Sequence, residues 1–231
     1  MAYGIIGAMR EEVDLLIVKL EGAHTETIAT MDFVTGRLNG VDVVVVEGRG
    51  GKVNAAMCTQ VLIDRFDVSH IIFTGVAGSL DFSIEIGDLI ISTDLIQHDA
   101  DLTGFGYPPG VLPDLHLLSF AADDELRARA MRAAAEVCPE VAAYEGRIAT
   151  GDQFVQSLER KEFIVKTFGA SCVEMEGAAV AQVAWLNDVP FVVVRAISDK
   201  ADGSAHADFA EFLPESARRA AALVEYLVCN E

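Results

Sequence analysis

Two stretches of this chain, Ile71-Ile72-Phe73 and Phe191-Val192-Val193-Val194, are apolar at every consecutive position. Successive side chains of a strand point to opposite faces, so a strand with an uninterrupted apolar run needs cover on both sides. That requirement selects an α/β architecture, with helices packed on each face of a largely parallel sheet. Helical spacing appears where such an architecture needs it: Glu11 to Leu20 carries Val13, Leu16, Ile17 and Leu20 on one face. Helices are also expected over Val53 to Phe66, Asp124 to Glu136, Leu158 to Phe168, Gly177 to Leu186 and Phe209 to Leu227. Strands are expected over Tyr3 to Ala8, His70 to Thr74, Asp88 to Ser92, Arg147 to Thr150, Ala170 to Met175 and Phe191 to Ile197. One antiparallel element interrupts the series. Phe33 to Leu38 and Val41 to Glu47 flank Asn39-Gly40, a dipeptide suited to the two positive φ angles of a type I′ turn.

At 231 residues, 52% of them hydrophobic, the chain can bury a large core. It shows no internal repeat, low-complexity tract or linker, so residues 1–231 are expected to form one domain. The formal charge of −19, from 36 acids against 17 bases, leaves no basic stripe to neutralise phosphates. Nucleic acid is therefore not an expected partner, and an anionic membrane surface is not either. Cys58, Cys138, Cys172 and Cys229 have no C-x-x-C spacing and read as small core residues in a reducing compartment. The N-terminal stretch has no basic residue ahead of its short apolar run, and no run approaches the roughly 18 to 20 residues of a bilayer span. A cytoplasmic protein is expected.

Two acids stand out against this apolar background. Glu176 falls where a strand gives way to a helix, and Asp199 just past the end of the next strand. Both positions lie at the carboxyl edge of a parallel sheet, where ligands bind. A partly buried carboxylate costs free energy unless it is paired or hydrogen-bonded, so these positions suit a ligand rich in hydroxyls or basic nitrogens.

Other features leave alternatives open. Gly48-Arg49-Gly50-Gly51 follows a strand and precedes a helix, but Val53 replaces the third glycine of a dinucleotide fingerprint and no Walker lysine motif is present. This turn, like Gly75-Val76-Ala77-Gly78, either presents backbone N–H groups to a polar ligand or reverses the chain. The stretch from Asp94 to Phe120 is long and irregular, the mark of a functional loop or an interface. Within it, His98-Asp99-Ala100-Asp101 matches no standard metal spacing and reads as a polar turn. Glu11 and Glu12 alone read as an acidic first helical turn, Met175 as core packing and Arg195 as a structural partner for an acid.

Taken together and in order, several motifs carry a resemblance. Gly4-Ile5-Ile6-Gly7-Ala8-Met9 with Glu11-Glu12, Thr74-Gly75-Val76-Ala77-Gly78, Asp99-Ala100-Asp101 with Phe105-Gly106-Tyr107, Gly151-Asp152-Gln153-Phe154, Glu174-Met175-Glu176 and Arg195-Ala196-Ile197-Ser198-Asp199 resemble the bacterial 5′-methylthioadenosine/S-adenosylhomocysteine nucleosidases. The resemblance runs from Met1 to the C-terminal helix. It implies a three-layer α/β/α sandwich around a mixed, partly barrel-like sheet, a homodimer, and a small adenine nucleoside as substrate. No metal and no organic cofactor is implied.

The resemblance also implies roles. Cleavage of an N-ribosidic bond develops positive charge on the ribose, so a leaving-group acid and a water-activating base are needed. Asp199 would protonate adenine N7, supported by Ser198, and Glu12 would activate water, oriented by Arg195. Glu176 would accept from the ribose hydroxyls, a task suited to an acceptor-only group. Met175 would pack along the sugar and Phe154 would stack on adenine, whose edge the Val155 backbone reads. Met9, Ala77, Gly78 and Phe209 would line the remaining pocket. Phe105 and Tyr107 would reach a partner subunit's pocket and cover the 5′-thio group.

Three positions depart from the pattern: Val76 stands in place of a Ser, Ser79 in place of a Gly, and Arg49-Gly50 in place of Gly and an apolar residue. Arg49 either pairs with a carboxylate at the end of the 5′-substituent or points to solvent. The alternatives to a nucleosidase of this kind are a phosphorylase of the same superfamily, an aminofutalosine-type nucleosidase and a non-catalytic purine-nucleoside binder. A phosphorylase needs arginines around an oxyanion, and a pure binder has no use for Asp199 and Glu12 together.

Overall fold

The apolar runs sit where two-sided cover predicts. The computed structural model describes residues 2–230; Met1 and Glu231, the ends of the expected domain, lie outside the described residues. Among the described residues, β1 (Ala2–Gly7) leads into α1 (Arg10–Ile17), followed by β2 (Glu21–Ile28), β3 (Met31–Leu38) and β4 (Val41–Glu47). Then come α2 (Lys52–Phe66), β5 (Val68–Ser79), β6 (Leu89–Gln97), β7 (Ser119–Ala121), α3 (Asp124–Val137) and β8 (Ala143–Thr150). The chain finishes with α4 (Leu158–Phe168), β9 (Cys172–Glu174), α5 (Gly177–Leu186), β10 (Phe191–Asp199) and α6 (Ala205–Cys229).

The sheet is mixed and closes on itself in part. β5 pairs with β10, β10 with β6, β6 with β8, β8 with β9, and β9 returns to β5. From that ring β1, β4, β3 and β2 extend outward in order from β5. The mixed, partly barrel-like sheet that the resemblance implies is what forms, with β9 meeting β5 and β10 meeting β6 antiparallel among otherwise parallel pairs of the ring.

The core divides as the strand pleat requires. Ile71 and Phe73 pack with Ala55, Cys58 and Leu62 of α2 and with Ala178 and Ala181 of α5. Ile72, between them, points the other way, with Val13 and Leu16 of α1, Leu126 of α3 and Leu223 of α6. Three layers result, and a side chain such as Ile72, fully buried, is the kind whose truncation to Ala costs about 2–5 kcal/mol.

Several local expectations hold: α4 and α5 keep the expected limits, and Asn39 and Gly40 turn the β3–β4 hairpin with φ of 49° and 87°. Others change. β5 runs on through Gly75 to Ser79 because β10 and β9 supply it with partners there. β6 continues to Gln97, taking Asp94 out of the expected loop, and the strand β2 was not anticipated.

Candidate active site

The parallel strands β1, β5 and β10 end at one edge of the sheet, and residues in and just beyond their last turns of chain line a cavity of ≈ 380 Å³. Of the residues expected to act there, Met9, Glu12, Ala77, Gly78, Phe154, Met175, Glu176, Ser198, Asp199 and Phe209 line it. Val155 lines a small continuation beside Gly78 and Asp199.

Glu12 lies in the first turn of α1 as its composition suggests, yet its side chain is buried whereas Glu11 is exposed. Its carboxylate accepts from the backbone N–H of Met9 at 2.9 Å and of Val76 at 3.1 Å. Val76 therefore contributes its backbone to this carboxylate. A side chain at Gly75 would block the arrangement, since its Cβ would fall 2.5 Å from Glu12 Oε1 and 3.1 Å from Arg195 Nη1. Burial raises the Glu12 pKa, opposed by the positive charge of Arg195.

Arg195 is fully buried in β10, beside the face of Phe73 at 3.9 Å. Its direct partner is Glu174 rather than Glu12, with Nη2 to Oε2 at 2.5 Å. Burial alone would weaken its charge, but Glu174 and then Glu12 more than offset this and raise its pKa. Glu174 is held in turn: it accepts from the Gly177 N–H at 2.7 Å and from the Thr150 hydroxyl.

Glu176 caps the start of α5, and the turn Gly48 to Gly51 closes over it. Gly51 N–H donates to Glu176 Oε1 at 2.7 Å, so the backbone donor of this glycine-rich turn serves a carboxylate of the chain itself. Burial first, and the neighbouring Glu174 second, push the Glu176 pKa up to about 7.

Asp199 is the last residue of β10 rather than one just beyond it. It accepts from the Ser198 hydroxyl at 2.9 Å and from the Ala201 N–H at 2.8 Å. Burial nevertheless raises its pKa. Gly78 permits the close approach, because a Cβ there would lie 2.7 Å from Asp199 Oδ1. Beside it Phe154 and Phe209 meet edge to face, ring centroids 6.0 Å apart, leaving Phe154 half exposed toward the cavity.

The remaining expected residues lie elsewhere. Phe105 (84% exposed) and Tyr107 (40% exposed) stand on the loop after β6 and do not line the cavity. His98 and Asp99 already have cationic neighbours: Arg160 Nη2 is 2.8 Å from His98 Nδ1, and Lys52 Nζ is 2.7 Å from Asp99. Arg49 turns out of the cavity, donating to the Thr30 carbonyl at 2.5 Å. Ser79 is buried, its hydroxyl donating to the Asp81 carbonyl at 2.7 Å. Sequence reasoning assigned no role to Glu174, Thr150, Gly75 or His206. For Glu174 a signal existed, since an arginine inside an apolar strand requires a buried acid.

This fold and cavity define a class, and a family model described as "Phosphorylase superfamily" matches residues 2–228. A 5′-methylthioadenosine/S-adenosylhomocysteine nucleosidase of Bacillus subtilis is 42% identical over 225 residues, 97% of this chain and 96% of its own. One from Geobacillus sp. is 41% identical over all of this chain and 99% of its own length. The solved Neisseria meningitidis nucleosidase, in complex with methylthio-immucillin-A, superposes with a TM-score of 0.96 at 37% identity, covering 100% of this chain and 99% of that one. Futalosine hydrolase of Helicobacter pylori gives a TM-score of 0.93 at 39% identity, covering 99% and 97%. The chain belongs to the 5′-methylthioadenosine/S-adenosylhomocysteine nucleosidase family of that superfamily.

Proposed function

We propose that this protein hydrolyses the N-ribosidic bond of 5′-methylthioadenosine and S-adenosylhomocysteine, releasing adenine and the 5-thio-substituted ribose. The observation that carries this reading is the pair Glu12 and Asp199, both buried and both facing one cavity with Glu176. Asp199, its pKa raised by burial, holds a proton for adenine N7 as the base departs. Glu12 takes the proton of the attacking water, while Arg195, paired with Glu174, limits the rise of the Glu12 pKa and keeps its charged form accessible. Glu176 accepts from the ribose hydroxyls, Met175 packs on the sugar, and Phe154 with Phe209 holds the base. Val155, Ala77, Gly78, Met9 and Ser198 complete the pocket wall.

Water is favoured over phosphate as acceptor. Among the described residues, no Lys or Arg lines this cavity, whereas Glu12, Glu174, Glu176 and Asp199 do. Such a wall repels an anion. The aminofutalosine-type alternative rests on the likeness to a futalosine hydrolase. The test is adenine release from methylthioadenosine, adenosylhomocysteine and an aminofutalosine nucleoside by wild type and Asp199→Asn. Release by wild type from the first two, and its near loss in the variant, supports the reading; no release from either sinks it.

The same reading includes a cytoplasmic homodimer serving methionine salvage. The homodimer is supported by exposed large apolar side chains: Val53 and Met57 on α2, Trp185 and Leu186 on α5, and Phe105 and Tyr107 on the loop. Full specific activity in a protein diluted to monomer would remove the partner role of Phe105 and Tyr107. No helix among the described residues is long and apolar enough to cross a membrane.

A further inference from the structure

Lys161 of α4 carries a charge that the proposed mechanism does not use, yet the side chain is only 2% exposed. Burying an ammonium costs free energy unless the group is paired or hydrogen-bonded. Here the partner is backbone: Nζ donates to the Lys200 carbonyl at 2.6 Å, with the Phe82 ring over it at 4.6 Å.

That carbonyl belongs to the same peptide unit as the Ala201 N–H, which donates to Asp199 Oδ1 at 2.8 Å. A peptide unit is planar, and in its trans form the C=O and N–H point in opposite directions. An ammonium fixed on the oxygen therefore sets where the N–H points. Hydrogen bonds in series also polarise one another, so the same N–H becomes a stronger donor to the carboxylate.

The segment needs such a hold. Ala201 is fully buried with φ of 49°, a left-handed conformation that a non-glycine residue keeps only where its surroundings impose it. Lys200 Nζ donates to the Ile84 carbonyl at 2.6 Å and pairs with Glu85 Oε2 at 2.9 Å. Two ammonium groups thus pin residue 200, Lys161 by its carbonyl and Lys200 by its own side chain.

The charges facing this unit come from several segments. Burial lowers the Lys161 pKa; Asp202, Asp199 and Asp81 oppose that fall, and Lys200 adds to it. Asp199 in turn faces Asp208 and Asp202, and Glu12, Glu174, Glu176 and His206 line the cavity with it.

We infer that Lys161 is a positioning residue for the acid, acting on Asp199 through the peptide unit between residues 200 and 201. It aims and polarises the N–H that holds the carboxylate, and so steadies the negative charge that appears on Asp199 as its proton leaves for the adenine. This rests on the acid role proposed for Asp199, and the test separates the two.

Lys161→Met and Lys161→Gln keep much of the side chain's length and remove its charge; either one that folds, judged by circular dichroism, suffices. On methylthioadenosine, kcat should fall about 5- to 30-fold, the rate equivalent of one hydrogen bond at a charged group. KM should change less than about twofold, since the contact matters as charge develops. Loss of the cation and of the polarised donor both disfavour ionised Asp199, so the alkaline limb of the kcat/KM profile should move to higher pH by about 0.5 to 1 unit. In an Asp199→Asn background the same substitution should cost less than about twofold more, because the group it acts through is gone. An unmoved alkaline limb, or a full additional loss in the double variant, overturns the relay and leaves Lys161 a packing residue. Near-normal turnover in Asp199→Asn alone would instead remove the acid role beneath it.

Discussion

The two ends of the cavity hold their carboxylates in opposite ways. At one end Glu12 shares a buried cluster with Glu174, Glu176 and the guanidinium of Arg195. At the other, Asp199 has only neutral donors, the Ser198 hydroxyl and the Ala201 N–H. Burial raises the pKa at both ends; at Glu12 the charge of Arg195 is the strongest influence opposing it, whereas at Asp199 the strongest are two neutral donors, the Ala201 N–H and the Ser198 hydroxyl. A cation beside a buried carboxylate favours the charged form that a base needs, and burial favours the protonated form that an acid needs. Under the proposed function, one fold divides acid and base work between two side chains of similar chemistry.

Removing either of the proposed acid and base should have the largest effect. Asp199→Asn and Glu12→Gln are each expected to lose roughly 10² to 10⁴ in kcat, the usual worth of a positioned proton donor or acceptor. Steady-state kinetics on methylthioadenosine would show it, and near-normal turnover in either variant would break the comparison.

Glu174→Gln attacks the cationic end from behind. It strips Arg195 of its direct carboxylate partner in a site where neither side chain is more than 3% exposed. Loss of one partner of a buried pair costs about 3–5 kcal/mol, so denaturant unfolding should register a drop of that order. An unchanged midpoint would mean that Glu12 and Glu176 suffice for Arg195.

A smaller effect depends on pH. The Glu176 pKa stands at about 7 in the folded protein against 4.5 for an ordinary Glu. Between those values the folded state binds more protons than the unfolded one, so the Glu176 contribution is fully present below pH 4.5 and is lost as pH rises through about 7. Glu176→Gln should remove that loss, raising Tm at pH 8 more than at pH 5, by at most about 3 kcal/mol of stability. Equal shifts at the two pH values would contradict the pKa ordering.

The smallest effect belongs to the neutral end. Ser198→Ala removes one hydrogen bond that favours ionised Asp199, worth about 1 kcal/mol. The Asp199 pKa should rise further, and the alkaline limb of the kcat/KM profile should move to higher pH. A shift to lower pH would place Ser198 in a different role.

The legible parts of this site were those carried by a local pattern. Glu176 and Asp199 could be placed because apolar strand runs end beside them, and Asn39-Gly40 fixed a hairpin by its φ preference alone. What escaped depends on pairing across the chain. β2, Glu-Gly-Ala-His-Thr-Glu-Thr-Ile, is a largely exposed edge strand without apolar alternation, so its only signal is the neighbour β3. Closure of the β5–β10–β6–β8–β9 ring is likewise a matter of partners, and Gly75 to Ser79 reads as a turn until β10 and β9 lie beside it. The true partner of Arg195 was hidden for the same reason: Glu174 and Glu176 stand two residues apart, and only the fold turns one toward the guanidinium and the other toward Gly51.

The division of labour requires that Glu12 activate water and that no phosphate enter among the four carboxylates of the cavity. The sugar product formed from methylthioadenosine in phosphate buffer tests this most directly, read by phosphorus and proton NMR alongside adenine release. The expected product is free 5-methylthioribose, equimolar with adenine at every phosphate concentration. Stoichiometric 5-methylthioribose 1-phosphate would contradict it.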